Sequence, residues 1–158
     1  MDTDTTHARQ DALAFLKRHK AGVLATVAAD YNIHASMVYY TADDDFNIYF
    51  LTQLTSRKFE ALSEHPQVAF TIAESDIPQT LQIEGMAMDI SLDEGEAKKK
   101  DALFEILNSH SPFYAPLTKM DPASIVMIWI RPTWVRWGDF AFEEIGNRHV
   151  FKEIPIIS

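Results

Sequence analysis

The apolar positions of the chain fall mostly into short runs separated by turn residues, and only three longer stretches space them at the interval of an α-helix. His65-Pro66 ends the second stretch, because proline cannot continue a helix. In the third, Asp93 and Glu96 fit a capping box, in which each side chain satisfies a free N–H group of the first turn. The spacing predicts helices over Thr6 to Lys20, Ser56 to Glu64, and Asp93 to about Ser109.

The short runs alternate apolar with polar positions and are rich in β-branched and aromatic residues, which is typical of strands. Their connections are short, so neighbouring strands are expected to be antiparallel. Gly85 predicts a bulge or bend that lets the sheet curl. The predicted strands are Gly22 to Ala28, Ile33 to Tyr40, Asn47 to Thr52, Val68 to Glu74, Thr80 to Ser91, Ser124 to Arg131 and Thr133 to Phe142, with His149 to Ile157 as a candidate edge strand. The pattern indicates a mainly β fold, a small closed β-barrel of about six to seven antiparallel strands with peripheral helices.

The composition narrows the classes of function. A chain of 158 residues that is 47% hydrophobic indicates a single domain over residues 1–158. The formal net charge of -9 argues against nucleic acid and anionic membranes as partners, because both require a surplus of basic residues. No stretch has the ~18 apolar residues of a transmembrane helix. With no cysteine and no visible export signal, the cytoplasm is the expected compartment, and thiolate chemistry and Cys-ligated metals are excluded.

Basic residues stand at an unusual place, the start of the second predicted helix. Thr55 and Ser56 at its cap are followed directly by Arg57 and Lys58, although cations are mildly unfavourable at a helix N-terminus. In an acidic chain, this arrangement indicates a site for a dianionic group, most simply a phosphate. The alternative is that Thr55 only caps the helix, Arg57 pairs with Glu60, and Lys58 is solvated.

The order of these elements resembles the flavin-binding split barrel of the pyridoxamine 5'-phosphate oxidase-like family, over roughly Gly22 to Ser91. The shared pattern starts with a strand like Leu24-Ala25-Thr26-Val27, a turn, and a strand like His34 to Tyr39. An aromatic-rich strand ending in Thr follows, then Ser-Arg-Lys opening a helix with proline beyond it. A later strand reaches a glycine in the setting Gln82-Ile83-Glu84-Gly85.

The resemblance implies FMN as the cofactor, although some relatives bind the deazaflavin F420 or haem. Its phosphate would be held by Ser56, Arg57 and Lys58, and its ring would lie along the second strand. Thr80 and Gln82 would contact the flavin from a neighbouring strand. The residues implied to bind the cofactor are Ser36, Met37, Val38, Tyr39, Leu51, Thr52, Ser56, Arg57, Lys58, Thr80, Gln82 and Trp137.

The resemblance further implies a homodimer with the cofactor at the subunit interface. Residues from the C-terminal third of the other subunit would then complete the site, and Trp134, Arg136 and Trp137 are the candidates. The two tryptophans are an odd number of positions apart, so they cannot share a face of a regular strand unless a bulge intervenes. Trp137, beside Gly138, is the choice for flavin contact; the alternative places these aromatics in the core or the dimer interface.

The implied activity is a flavin-dependent oxidoreductase that acts on a small molecule, with NADH or NADPH as a transient reductant. No catalytic side chain is predicted, since the flavin itself would carry the redox chemistry. Ser36 stands where the oxidase has an arginine, and Arg148-His149 only approximates its Arg-Leu-His stretch, so oxidation of pyridoxamine phosphate is not expected. The alternatives are a non-catalytic or stress-related protein that binds flavin, F420 or haem, and a protein-interaction module without a cofactor.

Other chemistries find little support in the sequence. The six histidines lack the paired spacing of a metal site, so no metal is expected. The five glycines are too scattered for a dinucleotide or phosphate-binding loop. His34 is the one histidine of functional interest, because it lies at the start of the strand along which the flavin would lie.

Overall fold

The computed structural model describes residues 3–109, 119–140 and 150–156, and these ranges contain three α-helices and seven strands. The helices are α1 Thr3–Arg18, α2 Arg57–Glu64 and α3 Ala97–Ser109. The strands are β1 Ala21–Val27, β2 Ile33–Ala42, β3 Ile48–Gln53, β4 Gln67–Glu74, β5 Gln79–Asp89, β6 Ile125–Asp139 and β7 Phe151–Glu153. Short 3₁₀ turns occupy Glu94–Glu96 and Pro122–Ser124.

The strands form one antiparallel sheet that closes on itself. Its order is β3-β2-β1-β4-β5-β6-β7, and an additional pairing of β3 with β6 joins the ends of the first six strands into a barrel. β7 lies outside the barrel, paired with Arg136, Trp137 and Gly138 of β6. The mainly β fold with peripheral helices is therefore confirmed, and so is the edge strand near the C-terminus. His149 and Ile157, its predicted bounds, lie outside the described residues.

The prediction of two strands separated by Pro132 is wrong, because β6 is one strand of 15 residues that includes Pro132. Pro132 pairs with Gly85 at the point where the register of β5 and β6 shifts, so its missing N–H falls on a bulge. A Cβ at Gly85 would lie 2.5 Å from the Arg131 carbonyl oxygen, which explains the glycine there and confirms the predicted irregularity. The strand ends at Asp139, and Phe142 lies outside the described residues.

The bulge also exchanges the two faces of β6. Before it, the even-numbered residues Val126, Ile128 and Ile130 face the barrel interior, and after it the odd-numbered Val135 and Trp137 do. A one-residue shift reverses the inward and outward positions of a strand, because side chains alternate with a period of two. The core side chains of the barrel are then covered at one end by α1, whose Phe15 ring meets the Trp137 ring at 5.0 Å.

A second, smaller core lies outside the barrel, where α3 packs on the outer side of β3 and β6. Its buried residues are Tyr49, Leu51, Ile90, Leu103, Leu107, Ile125 and Met127. The predicted capping box is wrong: Asp93 makes no side-chain cap bond, and α3 begins only at Ala97. The Glu96 carboxylate instead pairs with Lys99 Nζ at 2.8 Å, so it does not reach back toward Asp93.

The remaining elements match the predictions closely. α1 begins at Thr3 instead of Thr6, and the first five strands lie within one or two residues of the predicted bounds. None of the helices in the described ranges is long and apolar enough to cross a membrane.

Candidate functional site

The barrel opens between β2 and β3. β2 pairs with β1 along its whole first part, from Ile33 to Tyr39, but it pairs with β3 only through Tyr40, Thr41 and Ala42. Beyond that point the β3 residues Leu51–Gln53 pair with β6 alone. The two strands therefore diverge and leave a cleft of about 200 Å³ between them.

The cleft has one polar end and largely apolar walls. Ser56 and Lys58, from the start of α2, form the polar end together with Thr52. Leu103 and Leu107 of α3 supply one apolar wall. The complete lining is Met37, Val38, Tyr39, Leu51, Thr52, Gln53, Ser56, Lys58, Leu103 and Leu107. The structure thus brings together the predicted residues Met37, Val38, Tyr39, Leu51, Thr52, Ser56 and Lys58.

The backbone N–H and C=O groups of alternate residues in β2 point toward this cleft. The Tyr40 N–H donates to the Lys20 carbonyl at 3.0 Å, on the side of β1. Backbone groups of successive strand residues point to opposite sides, so those of Met37 point to the side of β3. Because β3 has no pairing with Met37, this stretch of backbone is placed to hydrogen-bond a planar ligand edge.

Ser56 caps α2, and the prediction that Thr55 does so is wrong. Ser56 has an extended backbone, with φ -75 and ψ 145, and its Oγ accepts a hydrogen bond from the Phe59 N–H at 3.1 Å. Its own N–H donates to the Gln53 carbonyl at 3.0 Å, which closes the preceding turn and leaves Thr55 exposed within it. Thr52 Oγ1 lies 2.9 Å from Ser56 Oγ, so two hydroxyls meet at the helix start.

Lys58 is the charged residue of the cleft. It is half-buried, and this burial lowers the pKa of its ammonium group. Within the described residues, no carboxylate or other acceptor pairs with its Nζ, so the solvated surface lysine of the alternative interpretation is not what the structure shows. A desolvated, unpaired cation at a helix N-terminus is an arrangement that an anion would stabilise.

Arg57 takes a different direction from Lys58. Its side chain is exposed, it does not line the cleft, and its Nη2 lies 3.3 Å from both ring nitrogens of His34. The ion pair with Glu60 that the sequence also allowed is not formed. The predicted Ser-Arg-Lys group is therefore divided, with its hydroxyl and ammonium in the cleft and its guanidinium against the start of β2.

The other predicted site residues lie elsewhere in this chain. Ser36 is on β2 but does not line the cleft. Thr80 and Gln82 lie on β5, which pairs with β4 and β6, so within this chain their strand does not neighbour β2 or β3, and their contact with a flavin stays a prediction. Trp137 is 3% exposed inside the barrel, against Phe15.

On the part of β6 that pairs with β7, one cation and several aromatic rings form a surface group, which we call the aromatic patch: Trp134, Arg136, Phe140 and Phe151. The Arg136 guanidinium lies 5.3 Å from the Trp134 ring and 4.4 Å from the Phe151 ring, and its Nε donates to Gln82 Oε1 at 2.8 Å. Phe140 and Phe151 are 44% and 42% exposed. Trp134 and Arg136 reach this outer face because the bulge sends the odd-numbered residues inward.

Sequence reasoning missed three residues of the cleft, Gln53, Leu103 and Leu107. The two leucines are four positions apart on α3, a spacing that puts them on one helix face, and this signal could have marked α3 as a wall of the cleft.

Among the described residues there is no group of three or more His, Asp or Glu side chains that could hold a metal. Arg148 and His149 lie outside the described residues.

Several solved structures share this fold. A putative pyridoxamine 5'-phosphate oxidase from Listeria innocua is 25% identical, with a TM-score of 0.65 over 85% of this chain and 98% of its own. An F420 reductase is 24% identical, with a TM-score of 0.62 over 77% of this chain and 93% of its own. A heme binding protein from Mycobacterium smegmatis is 18% identical, with a TM-score of 0.65 over 97% of this chain and 58% of its own. No curated protein matches the sequence.

The sequence itself carries the family pattern over most of its length. The family model described as pyridoxamine 5'-phosphate oxidase matches residues 8–137, which span the chain from α1 to Trp137 near the end of β6. The closed six-stranded antiparallel barrel with one outside strand and three helices is the fold of that family. The chain belongs to the pyridoxamine 5'-phosphate oxidase-like split-barrel family.

Proposed function

We propose that the protein binds FMN in the cleft between β2 and β3 and acts as a flavin-dependent oxidoreductase on a small molecule. The observation that carries this proposal is Lys58, a half-buried ammonium without a partner in the described residues, beside the Ser56 cap at the polar end of an otherwise apolar cleft. Family membership supports it, because the structural relatives include one protein named as FAD-binding and one named as an F420 reductase.

The polar end of the cleft suits a single phosphate. Burial of Lys58 without a counterion disfavours its charged form, and a dianion next to it would restore that form. The hydroxyls of Thr52 and Ser56 lie at the same end, and the first N–H groups of α2 have no acceptor within the helix. In a chain of net charge -9, this is a confined site for one anion and not a surface for a polyanion.

The rest of the cleft suits a flat, mostly apolar ring. Leu51, Leu103 and Leu107 offer apolar contact area, and the Met37 backbone faces the gap where a ring edge would need hydrogen bonds. Bound FMN would supply the electron transfer, so the residues of this chain bind and orient it and keep water from one side of the ring. Ser36 carries no charge to recognise a substrate phosphate, and pyridoxamine phosphate is not the proposed substrate.

Reconstitution with FMN and with riboflavin tests this proposal, because riboflavin has the same ring and no phosphate. We expect the protein to be yellow or to take up FMN at micromolar concentration, and to bind riboflavin more weakly. Lys58→Met should weaken FMN binding by about 10- to 100-fold, as for loss of one charge-assisted contact. Lys98→Met, an exposed lysine on α3, is the matched control and should leave the affinity unchanged. A protein that takes up no FMN would refute the proposal.

The alternative function is a cofactor-binding or stress-related protein without turnover, which holds a flavin, F420 or haem. The heme binding protein among the structural relatives favours testing it. Reduction of the bound flavin by NADH or NADPH, followed by reoxidation with small-molecule acceptors, would support the enzyme. A Soret band after reconstitution with haem, lost on substitution of one histidine, would instead support haem binding.

We also propose a homodimer, formed through the outer face of β2, β1 and β4. Val23 and Met37 pair across β1 and β2 and are 43% and 56% exposed, and Ile33 is 74% exposed on the same face. Ala25 pairs with Ala69 of β4 between them, so the face is apolar and has small residues at its centre. An exposed apolar face of this extent is typical of a subunit interface.

Disruption of this face tests the dimer. Val23→Glu is expected to convert a dimer into a monomer in light scattering after gel filtration, because it buries a charge without a partner. Leu92→Glu is the control, since Leu92 is 94% exposed outside this face. A wild-type protein that is monomeric at micromolar concentration would contradict the proposal.

We further propose that, in the dimer, the aromatic patch of one subunit completes the cleft of the other subunit. In a mixture of Lys58→Met and Arg136→Ala subunits, hybrid dimers would contain one intact site each. We expect the mixture to recover part of the FMN binding that both variants lose separately. No recovery after confirmed subunit exchange would confine the site to one subunit.

A further inference from the structure

The contact between Arg57 and His34 places a cation beside the cleft but outside its lining. Arg57 is the first residue of α2, between the Ser56 cap and Lys58, and His34 lies near the start of β2. Arg57 Nη2 lies 3.3 Å from Nδ1 and 3.3 Å from Nε2 of the His34 ring. In the described part of the chain, Arg57 makes no ion pair with a carboxylate.

These two equal distances define the geometry of the contact. The two ring nitrogens flank one carbon, so a donor in the ring plane at equal distance from both would collide with that carbon. Nη2 therefore lies over the face of the His34 ring, with its N–H directed at the ring, and not in the plane of the ring. A guanidinium carries five N–H donors in a rigid fork, so a contact through Nη2 leaves the N–H groups of Nε and Nη1 for a carboxylate or phosphate.

We infer that His34 is a positioning residue, which holds the Arg57 guanidinium beside Ser56 and Lys58 so that its free N–H groups meet the phosphate of the bound ligand. This inference rests on the proposed function, because it assigns the anion at the start of α2 to FMN. It explains why Arg57 has no carboxylate partner in the described residues of a chain that carries 23 acidic side chains. An exposed arginine without such support has many rotamers, and ordering one of them on binding would cost affinity.

A double-mutant cycle on FMN binding tests the inference. We expect His34→Ala and Arg57→Ala each to weaken FMN binding by about 5- to 10-fold. His34→Ala should cause no further loss in the Arg57→Ala background, since its effect passes through Arg57. The affinity for riboflavin should not change in any variant, because riboflavin lacks the phosphate.

Replacement of His34 by another flat ring separates positioning from a general structural role. His34→Phe keeps a flat ring face beneath Nη2 and is expected to restore most of the FMN affinity that His34→Ala loses. Thermal melting of the apoproteins would confirm that all variants fold. Independent, additive losses in the double mutant, equal losses for FMN and riboflavin, or a failure of His34→Phe to restore binding would overturn the role of His34. A wild-type protein that binds no FMN would refute the proposed function, and the inference with it.

Discussion

Two sides of the same barrel differ in how completely their strands are paired. On one side, which we call the closed side, β5 and β6 pair along the whole of Gln79–Asp89, interrupted only by the bulge at Gly85. On the other, which we call the open side, β2 and β3 share only three residue pairs. On the closed side Leu81 and Ile83 are 0% and 1% exposed, while on the open side Met37 is 56% exposed. The fully paired strands thus lie in one part of the sheet, and the cleft to which we assign binding lies in another.

The open side can exist because the closed side holds the barrel together. Unpaired backbone and a half-buried lysine that has no partner among the described residues each destabilise a fold, so they persist only where many other contacts fix the surrounding structure. The ladder through β1, β4, β5, β6 and β3 is continuous around the rest of the barrel. We therefore expect truncation of inward-facing residues on the closed side to have the largest effect on stability, and substitution of cleft residues on the open side to have the larger effect on binding.

The largest effect is expected from Ile83→Ala on the closed side. Ile83 is 1% exposed in the main core, and truncation of such a residue costs about 2–5 kcal/mol of unfolding free energy. Leu54→Ala, in the exposed turn that follows β3 on the open side, should change it by less than about 0.5 kcal/mol. Urea denaturation of the two apoproteins measures both values. Similar losses in the two variants would break the distinction between the sides.

The sequence predicts this barrel well because local signals determine its hairpins. Strand alternation and short polar turns are local properties, and they place the first five strands within one or two residues of their bounds. The candidate anion site can also be predicted from the sequence, since the cap hydroxyl and the two cations are adjacent in the chain. The residue that caps α2 is Ser56 and not Thr55, because the Ser56 N–H donates to the Gln53 carbonyl in the preceding turn. Residue types alone do not specify this hydrogen bond.

What the sequence did not predict depends on pairing between distant segments. The break at Pro132 is absent because the β-bulge opposite Gly85 absorbs the proline. The same bulge changes which residues face inward, and it sends Trp137 to the core and Arg136 to the surface. The cleft itself exists because β3 leaves β2 for β6, a closure that periodicity along either strand cannot show.

Lys58→Met is expected to have an intermediate effect, with opposite signs for stability and binding. It removes a desolvated ammonium, so the apoprotein should become more stable, with a rise in Tm of about 1–3 °C, while FMN binding weakens. A structural lysine would instead lower Tm when replaced. Differential scanning fluorimetry of the apo and FMN-loaded forms measures both changes.

The pH dependence gives this variant a second, independent readout. Burial lowers the pKa of Lys58 in the folded state, so the unfolded chain holds the proton more tightly. The Lys58 contribution to the unfolding free energy of the apoprotein should therefore rise with pH up to the ordinary lysine value of 10.5, and the difference between wild type and Lys58→Met should narrow. A difference that is constant with pH would mean that Lys58 is not desolvated.

The smallest effect on FMN binding is expected from Ser56→Ala. This substitution should change stability as well, because Ser56 caps α2 and also lies at the polar end of the cleft. Loss of the cap bond to the Phe59 N–H should cost about 1 kcal/mol of stability, and loss of a hydroxyl at the polar end of the cleft should weaken FMN binding several-fold. Thr55→Ala is the matched control, because Thr55 is exposed in the preceding turn and does not cap the helix. If Thr55→Ala destabilises the protein as much as Ser56→Ala does, the helix starts differently from the structure. A Ser56→Ala variant that loses stability and keeps its full FMN affinity would make the hydroxyl a cap alone and leave the phosphate to Lys58 and Arg57.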